Sequence, residues 1–413
     1  MQAARKTESR HGEDKHMKID QGTVLSGLAG AALLALVSAA PLQAQQVRGV
    51  SDDEIVIGMH TDLSGPSVAA GVPSANGARM RVAEANENGG IHGRKIRIVI
   101  ENNEYSVSKS AQAGNKLLNR DQVFLICCGL GTPTNNAILP KQLALGVPNM
   151  FPVSASEQMY EPFDRLKFAA IASYYGQIRS GLRWFIEKED SQRVCIFYQD
   201  TDYGREIRKG AVDQLQAMGR ELVAEAAHKP TDLDFSAAVL KLREAKCDLI
   251  AMGTIVRDTI GIMSEINQQE WDVSTVGTLG SFVSVVASAG AGATEGYHLV
   301  TQFDVAYPDT ATGDVKAWIE RYQQRFDADP TVWAQATYVF VDLIMKGLEN
   351  AGRDLTVDSF LAGMEQIDDY HDLFGGPAIS FGPDKRLGAE SAFLVKVENG
   401  RFVRVSDEIN YKD

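Results

Sequence analysis

Short, continuous runs of hydrophobic residues alternate along the chain with segments whose hydrophobic residues recur at helical spacing. Continuous runs are typical of strands buried on both faces of a parallel sheet, and the helical segments between them supply the crossovers. The pattern therefore predicts an α/β fold with doubly wound parallel sheets. The predicted strands are 54–60, 95–101, 123–129, 148–151, 193–198, 221–226, 248–253, 274–278 and 296–300, and the helices among them include 74–88, 111–119, 204–218 and 237–245.

One unit of this pattern occurs twice. A strand, a loop, a helix and a second strand fill residues 54–101, and the same order returns at 193–226. The repetition predicts two equivalent lobes, each with its own sheet. After residue 300 the pattern changes to long helices and then to short strands, which we expect at 315–326, 332–352, 378–381, 391–398 and 401–406.

Length and charge narrow the class of protein. The 413 residues exceed one ordinary core and predict two domains of roughly 150 to 200 residues. Hydrophobic residues make up 44% of the chain and charged residues 23%, which are values of a folded globular protein. The net charge of −13 argues against a nucleic-acid partner.

The N-terminus carries an apolar segment, residues 23–40, which follows Lys18 and ends in small residues at Ala44. This order predicts a cleaved signal peptide within a leader at 1–44, with Met17 as the start of translation. A permanent membrane anchor is the alternative, because the apolar segment is near the minimum length that spans a bilayer.

The four cysteines lie in or beside apolar runs, at positions 127, 128, 195 and 247. The first two are adjacent, and adjacent residues rarely form a disulfide. Export would permit a bond between Cys195 and Cys247, but we expect two buried thiols there.

The sequence carries no motif typical of metal binding or catalysis. No two of the seven histidines have metal-ligand spacing, and the sequence contains no GxGxxG, GxSxG, GxxxxGK[ST] or HExxH motif. The sequence therefore predicts no metal, no cofactor and no enzyme.

Candidate ligand contacts follow the predicted strands, because open α/β sheets bind ligands at the carboxyl ends of their strands. Each has a structural alternative as a helix cap, a turn or a packing side chain. The Arg257 side chain could pair with a second acidic group of the ligand, although an ion pair at the surface is the commoner role. The candidates are Gly131, Thr132 and Thr134 after 123–129, Ser154 after 148–151, Tyr203 after 193–198, Arg257 after 248–253, and Tyr105 after 95–101.

With these loops in place, residues 52–406 resemble the periplasmic solute-binding proteins of ATP-driven importers, in the leucine/isoleucine/valine-binding family. The strings that carry the resemblance are IVIGMHTDLSGP, NENGGIHGRKIRIV, LGTPTN, FYQDTDYGRE, DFSAAVLKLREAKCDLI and ATEGYHLV. The order and spacing of these strings make the resemblance specific, and it covers nearly the whole mature chain.

The resemblance implies two lobes hinged around a cleft, with the chain crossing between them near 170–173, 299–303 and 375–379. The first lobe would comprise 52–170 and 302–376, and the second 171–300 and 377–413. It also implies a periplasmic monomer that closes on a small ligand and docks on an ABC permease with its ATPase. The ligand's carboxylate would lie against Gly131, Thr132, Thr134, Val153, Ser154 and Ala155, with Tyr203 over the ligand.

This chain departs from the family's amino-acid binders at the positions that hold the α-ammonium group. Leu279 stands where those proteins place an acidic residue, and Ile255 replaces an aromatic residue. Tyr105 occupies one position of the family's first-lobe disulfide. Because a buried ammonium group without a counter-charge costs several kcal/mol, we expect a small carboxylate with an apolar or aromatic body. The alternatives are an aliphatic amino acid, a sensor domain of the same fold and, more remotely, an exported α/β enzyme.

Overall fold

The first half of the fold is a five-stranded parallel sheet. The computed structural model describes residues 47–410. Strand order is β2-β1-β3-β4-β5. All but the first residue of β1 are buried, as expected for a central strand covered on both faces. The strands are β1 (Glu54–Thr61), β2 (Lys95–Asn102), β3 (Leu125–Cys127), β4 (Asn149–Met150) and β5 (Lys167–Phe168).

Helices connect these strands as crossovers. The segment predicted at 111–119 begins earlier and finishes as a π-helical turn, Lys116–Arg120. The helix predicted at 74–88 likewise begins earlier, at Val68. The helices of this half are α1 (Val68–Glu87), α2 (Val107–Asn115), α3 (Thr132–Asn136) and α4 (Leu139–Ala144).

The second half is an eight-stranded sheet in the order β12-β11-β10-β9-β8-β6-β7, with β13 beside β11. Strands β6 to β10 are parallel, and β11 and β12 are antiparallel additions. The strands are β6 (Val194–Gln199), β7 (Ala224–His228), β8 (Leu249–Gly253), β9 (Ser274–Thr278), β10 (His298–Thr301), β11 (Ser391–Glu398), β12 (Arg401–Arg404) and β13 (Ile409–Asn410). The helices that accompany it are α5 (Tyr174–Lys188), α6 (Asp202–Ala217), α7 (Ser236–Glu244), α8 (Val256–Gln268) and α9 (Ser284–Ala287).

The chain then returns to the first sheet. Helices α10 (Gly313–Phe326), α11 (Val332–Ala351) and α12 (Val357–Glu365) follow β10. The hydroxyl of Thr337 on α11 donates to the carbonyl of Ser74 on α1 at 2.8 Å. A side chain at Gly77 would lie 2.1 Å from the carbonyl oxygen of Ala334, so glycine is what allows α1 and α11 this close approach.

A buried glutamine joins two of the segments that pass between the sheets. The side-chain amide of Gln302, which is 2% exposed, donates to the carbonyl of Ala170 at 2.8 Å. Its oxygen accepts from the N–H of Ala172 at 2.7 Å. A third segment lies alongside, because the N–H of Ala169 donates to the carbonyl of Arg386 at 2.9 Å.

Two predicted strands were displaced or wrong. The strand predicted at 221–226 is Ala224–His228, because residues 220–223 form the irregular connection between the turn after α6 and the strand. The strand predicted at 378–381 is absent. Ile379 forms only a single bridge to Tyr370, and neither residue belongs to a strand. The predicted signal peptide lies outside residues 47–410, and within that range no helix is long and apolar enough to cross a membrane.

The expectation for one cysteine pair was also wrong. Cys195 and Cys247 form a disulfide, with their Cα atoms 5.9 Å apart, whereas Cys127 and Cys128 are buried free thiols. The pairing of β6 with β8 brings Cys195 close to the start of β8, where Cys247 lies. Burial did indicate apolar surroundings, but only the strand order could show that the two sulfur atoms meet.

Replacing both disulfide cysteines with alanine should lower the free energy of unfolding by about 2–4 kcal/mol, because the bond restrains the unfolded chain. Urea unfolding followed by tryptophan fluorescence would measure this. As the control, a reducing agent should lower the stability of the wild type and leave the double variant unchanged. A wild type that reductant does not affect would mean that these two thiols are free.

Candidate functional site

A cavity lies where the two sheets face each other. Most of its wall comes from residues that directly follow strands of one sheet or the other, as expected for parallel α/β units. Two long helices, α5 and α11, add residues from their first turns. The lining residues are Ser67, Ala70, Tyr105, Leu130, Gly131, Thr132, Val153, Tyr174, Tyr203, Ile255, Val256, Gly280 and Trp333.

Hydroxyl and amide groups line the wall after β3. Gly131 has φ of 96°, a conformation that side chains disfavour, and a side chain there would lie 2.7 Å from the Tyr105 ring. Thr132 begins α3, so its N–H has no acceptor within the helix. The hydroxyl groups of Thr132 and Ser154 lie 2.8 Å apart. The N–H of Gly131 already donates to the carbonyl of Val153 at 3.0 Å. Thr132 is therefore the neutral donor of this wall, and the hydroxyl of Ser154 supports it from behind the lining.

A buried polar network supports this loop from behind. Asn135 donates to the carbonyls of Gly129 and Gly131, both at 2.7 Å. Asn103 donates to the carbonyl of Leu130 at 3.3 Å and lies 3.0 Å from Nδ1 of His60. Burial lowers the pKa of His60 to about 4, so this ring is neutral at physiological pH. The loop is therefore fixed by neutral hydrogen bonds on its inner side.

Aromatic side chains form much of the remaining wall. The rings of Tyr174 and Tyr203 meet edge to face, with centroids 4.8 Å apart. The hydroxyl of Tyr203 lies 3.1 Å from both the carbonyl of Thr254 and the hydroxyl of Thr278, so it is engaged within the protein. Tyr105 and Trp333 complete the aromatic surface. Such rings offer flat apolar contact with polar edges.

Two properties of the cavity limit what it can hold. None of its lining residues is charged. The cavity has a volume of only about 30 Å³, which is enough for roughly one water molecule. The walls must therefore separate before any organic ligand can enter.

Some predicted contact residues lie in this wall and others do not. Gly131, Thr132, Val153, Tyr203, Ile255 and Tyr105 line the cavity. Thr134 instead donates its hydroxyl to the carbonyl of Gly131 at 2.8 Å. Arg257 binds Asp258 and the carbonyl of Pro230, which is the structural role weighed for it. Ser154, Ala155 and Leu279 are buried outside the lining, and Gly280 rather than Leu279 faces the cavity.

Sequence reasoning missed several lining residues. Ser67 follows β1, so the strand-end rule would have found it. The helical spacing around Trp333 left core packing and cleft lining equally open. Tyr174 and Gly280 had no signal, because each contributes through the start of a helix or turn whose position depends on the fold. The missed residues are Ser67, Ala70, Leu130, Tyr174, Val256, Gly280 and Trp333.

A larger cavity, about 330 Å³, lies on another face between Tyr160, Arg179 and Arg386. Its strongest polar groups already have partners in the protein. Arg386 pairs with Glu365 at 2.8 Å, and Arg179 donates to Gln214 at 3.0 Å. We therefore place the candidate site in the smaller cavity between the sheets. No group of three or more His, Cys, Asp or Glu residues that could hold a metal occurs in 47–410.

The family to which the chain belongs follows from the comparison with known sequences. The model of the periplasmic binding protein family matches residues 54–401. The chain is therefore a member of that family, and the resemblance predicted from its sequence is confirmed. The Leu/Ile/Val-binding protein BraC3 of Rhizobium johnstonii is 22% identical over 353 residues, which cover 85% of this chain and 93% of the relative.

Solved structures confirm the predicted fold class. One is a branched chain amino acid ABC transporter from Thermus thermophilus with bound valine, at a TM-score of 0.79, 16% identity, and 87% and 97% coverage of this chain and that one. Another is a solute binding protein of an ABC transporter from R. palustris in complex with benzoate. Its TM-score is 0.75 at 15% identity, and the match covers 85% of this chain and 95% of that one. At such identities the likeness shows the fold alone. Family and fold are those of solute-binding proteins.

Replacing Gly131 with alanine should lower the free energy of unfolding by about 2 kcal/mol or more, because backbone strain and the contact with Tyr105 add together. Gly219→Ala is the matched control, since Gly219 also has positive φ but has open space around it. It should cost only about 1–2 kcal/mol. Thermal and urea unfolding would compare them, and equal losses would contradict the close approach of Tyr105.

Proposed function

We propose that this protein is an extracytoplasmic solute-binding protein that captures a small carboxylate with an apolar or aromatic body and delivers it to an ABC importer. The observation that carries the proposal is the composition of the cavity wall. Thr132 offers a backbone N–H and a hydroxyl group as neutral donors, aromatic rings form much of the remainder, and no lining side chain is charged.

Neutral donors suit a carboxylate. Backbone N–H groups and hydroxyl groups stabilise the ionised form of a carboxyl group by hydrogen bonding, and no cation is needed. In the helix α3 the N–H groups of Thr132 and Thr134 lack intrahelical acceptors. The aromatic rings would then cover the apolar part of the ligand.

An α-ammonium group would lack a counter-charge in the same cavity. The carboxylates of Asp62 and Asp258 both act electrostatically on Tyr105, so they are near the wall. Asp62 accepts from the N–H of Ser67 at 2.7 Å and from two further N–H groups. Asp258 pairs with Arg257 at 2.6 Å. Both charges are already compensated, which disfavours an amino acid.

Hinge closure is the proposed mechanism. A cavity this small must open to admit a ligand, and the segments around Ala170 and Gln302 are the proposed hinge between lobes 52–170 with 302–376 and 171–300 with 377–413. The ligand would bind one lobe, and the other would close over it. The closed monomer would dock on a permease whose ATPase drives import. The family supports a periplasmic location after removal of the predicted leader at 1–44.

An amino-acid ligand is the second candidate, because the relative from Rhizobium johnstonii is a Leu/Ile/Val-binding protein. Calorimetry with benzoate, short aliphatic acids, leucine and valine would decide between them. We expect an organic acid to bind and the amino acids to bind at least about tenfold more weakly. Tight binding of leucine or valine without binding of organic acids would overturn the carboxylate proposal. Mass spectrometry of molecules released from the denatured protein would identify the natural ligand.

Thr132→Val should weaken binding of the acid found in that screen by about 10- to 100-fold, since it removes a hydroxyl donor next to an ionised group. Thr275→Val is the matched control: Thr275 is buried in β9, and its hydroxyl has no partner among the described residues. That variant should retain wild-type affinity. Similar losses in both variants would show a general effect on stability instead of a contact with the ligand.

A further inference from the structure

Glu206 belongs to the second half of the fold and binds the loop after β4 in the first half. It lies on α6, which follows β6 of the eight-stranded sheet. Its Oε1 accepts from the N–H of Glu157 at 3.0 Å, and its Oε2 accepts from the hydroxyl of Ser156. Both partners belong to the loop after β4 that also contains Ser154. The carboxylate of Glu206 therefore joins the two halves directly.

A second contact lies beside it. Asn136, at the end of α3, donates to Asp202 at the start of α6 at 2.7 Å. The start of α6 thus contacts two loops of the first half. It binds the loop after β3 through Asn136 and the loop after β4 through Ser156. These contacts depend on the closed arrangement, because they would break as soon as the halves separated.

Glu206 has no cationic partner in this position. Among residues 47–410, no lysine, arginine or histidine forms an ion pair with it at 4.0 Å or less. The charged and titratable groups around Glu206 and its partner Glu157 are Tyr160 and Glu161 on the loop, Tyr174, Tyr175 and Arg179 on α5, and Asp202, Lys209 and Asp213 on α6. Burial raises the pKa of Glu206 to about 7, against hydrogen bonds from Ser156 and Glu157 that lower it.

We propose that Glu206 is a positioning residue that links closure of the cleft to proton uptake, so that the closed state is favoured as the pH falls through neutrality. In the open state Glu206 would be solvated, with the ordinary pKa of a glutamate. At pH values between the ordinary pKa and the raised pKa of Glu206, closure therefore takes up a proton. The added stability of the closed state is present below this range and is lost as the pH rises through about 7.

The size of the effect follows from the two pKa values. With a closed-state pKa of about 7 and an ordinary open-state value, the closing equilibrium should change about tenfold between pH 8 and pH 6. A protonated Glu206 still has a carbonyl oxygen that can accept from Glu157. Both protonation states can therefore hold the loop, but the neutral one is buried at lower cost.

The experiment measures the distance between spin labels on the two halves, without ligand, at pH 6 and pH 8. Labels attach to Val107→Cys and Leu233→Cys, which replace side chains that are 55% and 74% exposed. Cys127 and Cys128 are buried, and Cys195 and Cys247 are bonded to each other. Because no ligand is added, failure of the carboxylate proposal would leave this result unaffected.

The wild type should have the larger closed fraction at pH 6. Glu206→Gln preserves the acceptor oxygen and removes the titrating group, so its closed fraction should not change with pH. Glu161→Gln, an exposed change of equal charge in the same loop, should behave as the wild type does. If Glu206→Gln does not fold, Ser156→Ala should still lower the closed fraction. Equal closed fractions for wild type and Glu206→Gln at both pH values would overturn the proposal.

Discussion

The direction of the parallel strands is the constraint on which the rest of the structure depends. In a parallel sheet each strand returns through a crossover, so all carboxyl ends reach the same edge. The loops after β1, β3 and β4 therefore lie together, and so do those after β6, β8 and β9. Because these two edges face each other, residues far apart in sequence form a single wall. Gly131 and Gly280, for example, line the same cavity although Gly131 follows a strand of the first sheet and Gly280 a strand of the second.

Movement of the two halves requires connecting segments that stay ordered while the cleft opens. Gln302 satisfies both the N–H of Ala172 and the carbonyl of Ala170, in a region where water cannot replace them. Gln177 repeats this arrangement by donating to the carbonyl of Ala172 at 2.7 Å and accepting from the N–H of Leu279 at 3.0 Å. Buried amides that bind backbone groups fix the connecting strands against each other. In the proposed closure, motion would be confined to rotation about these segments, and the contacts of α6 would form only in the closed state.

The periodicity of hydrophobic residues predicted the fold class, because this periodicity depends only on which faces of each element are buried. The strand-end rule also predicted part of the lining of the candidate cavity, including Gly131 and Tyr203, because it depends only on strand direction. What the sequence left open depended on contacts that form only in the fold. For Arg257 a ligand contact and an ion pair were both considered, and its bond to the carbonyl of Pro230, 27 residues away, fixes it in the structural role. A 3₁₀ turn after β9 shifts the cavity contact by one residue to Gly280. No local pattern encodes either arrangement.

The proposed selectivity does not need a charged side chain in the wall of the site. The acidic groups near the wall are compensated: Asp62 by backbone N–H groups and Asp258 by Arg257. Under the proposed function, the field inside the cavity is set by the donors of the loop after β3, which would attract a single negative group. A cation would find only the modest attraction of aromatic faces and no free carboxylate, and an uncharged molecule would leave those donors without partners. The proposed preference for an anion with an apolar body therefore rests on the donors of one loop and the rings opposite it, and the proposed closure would strengthen it by removing competing water.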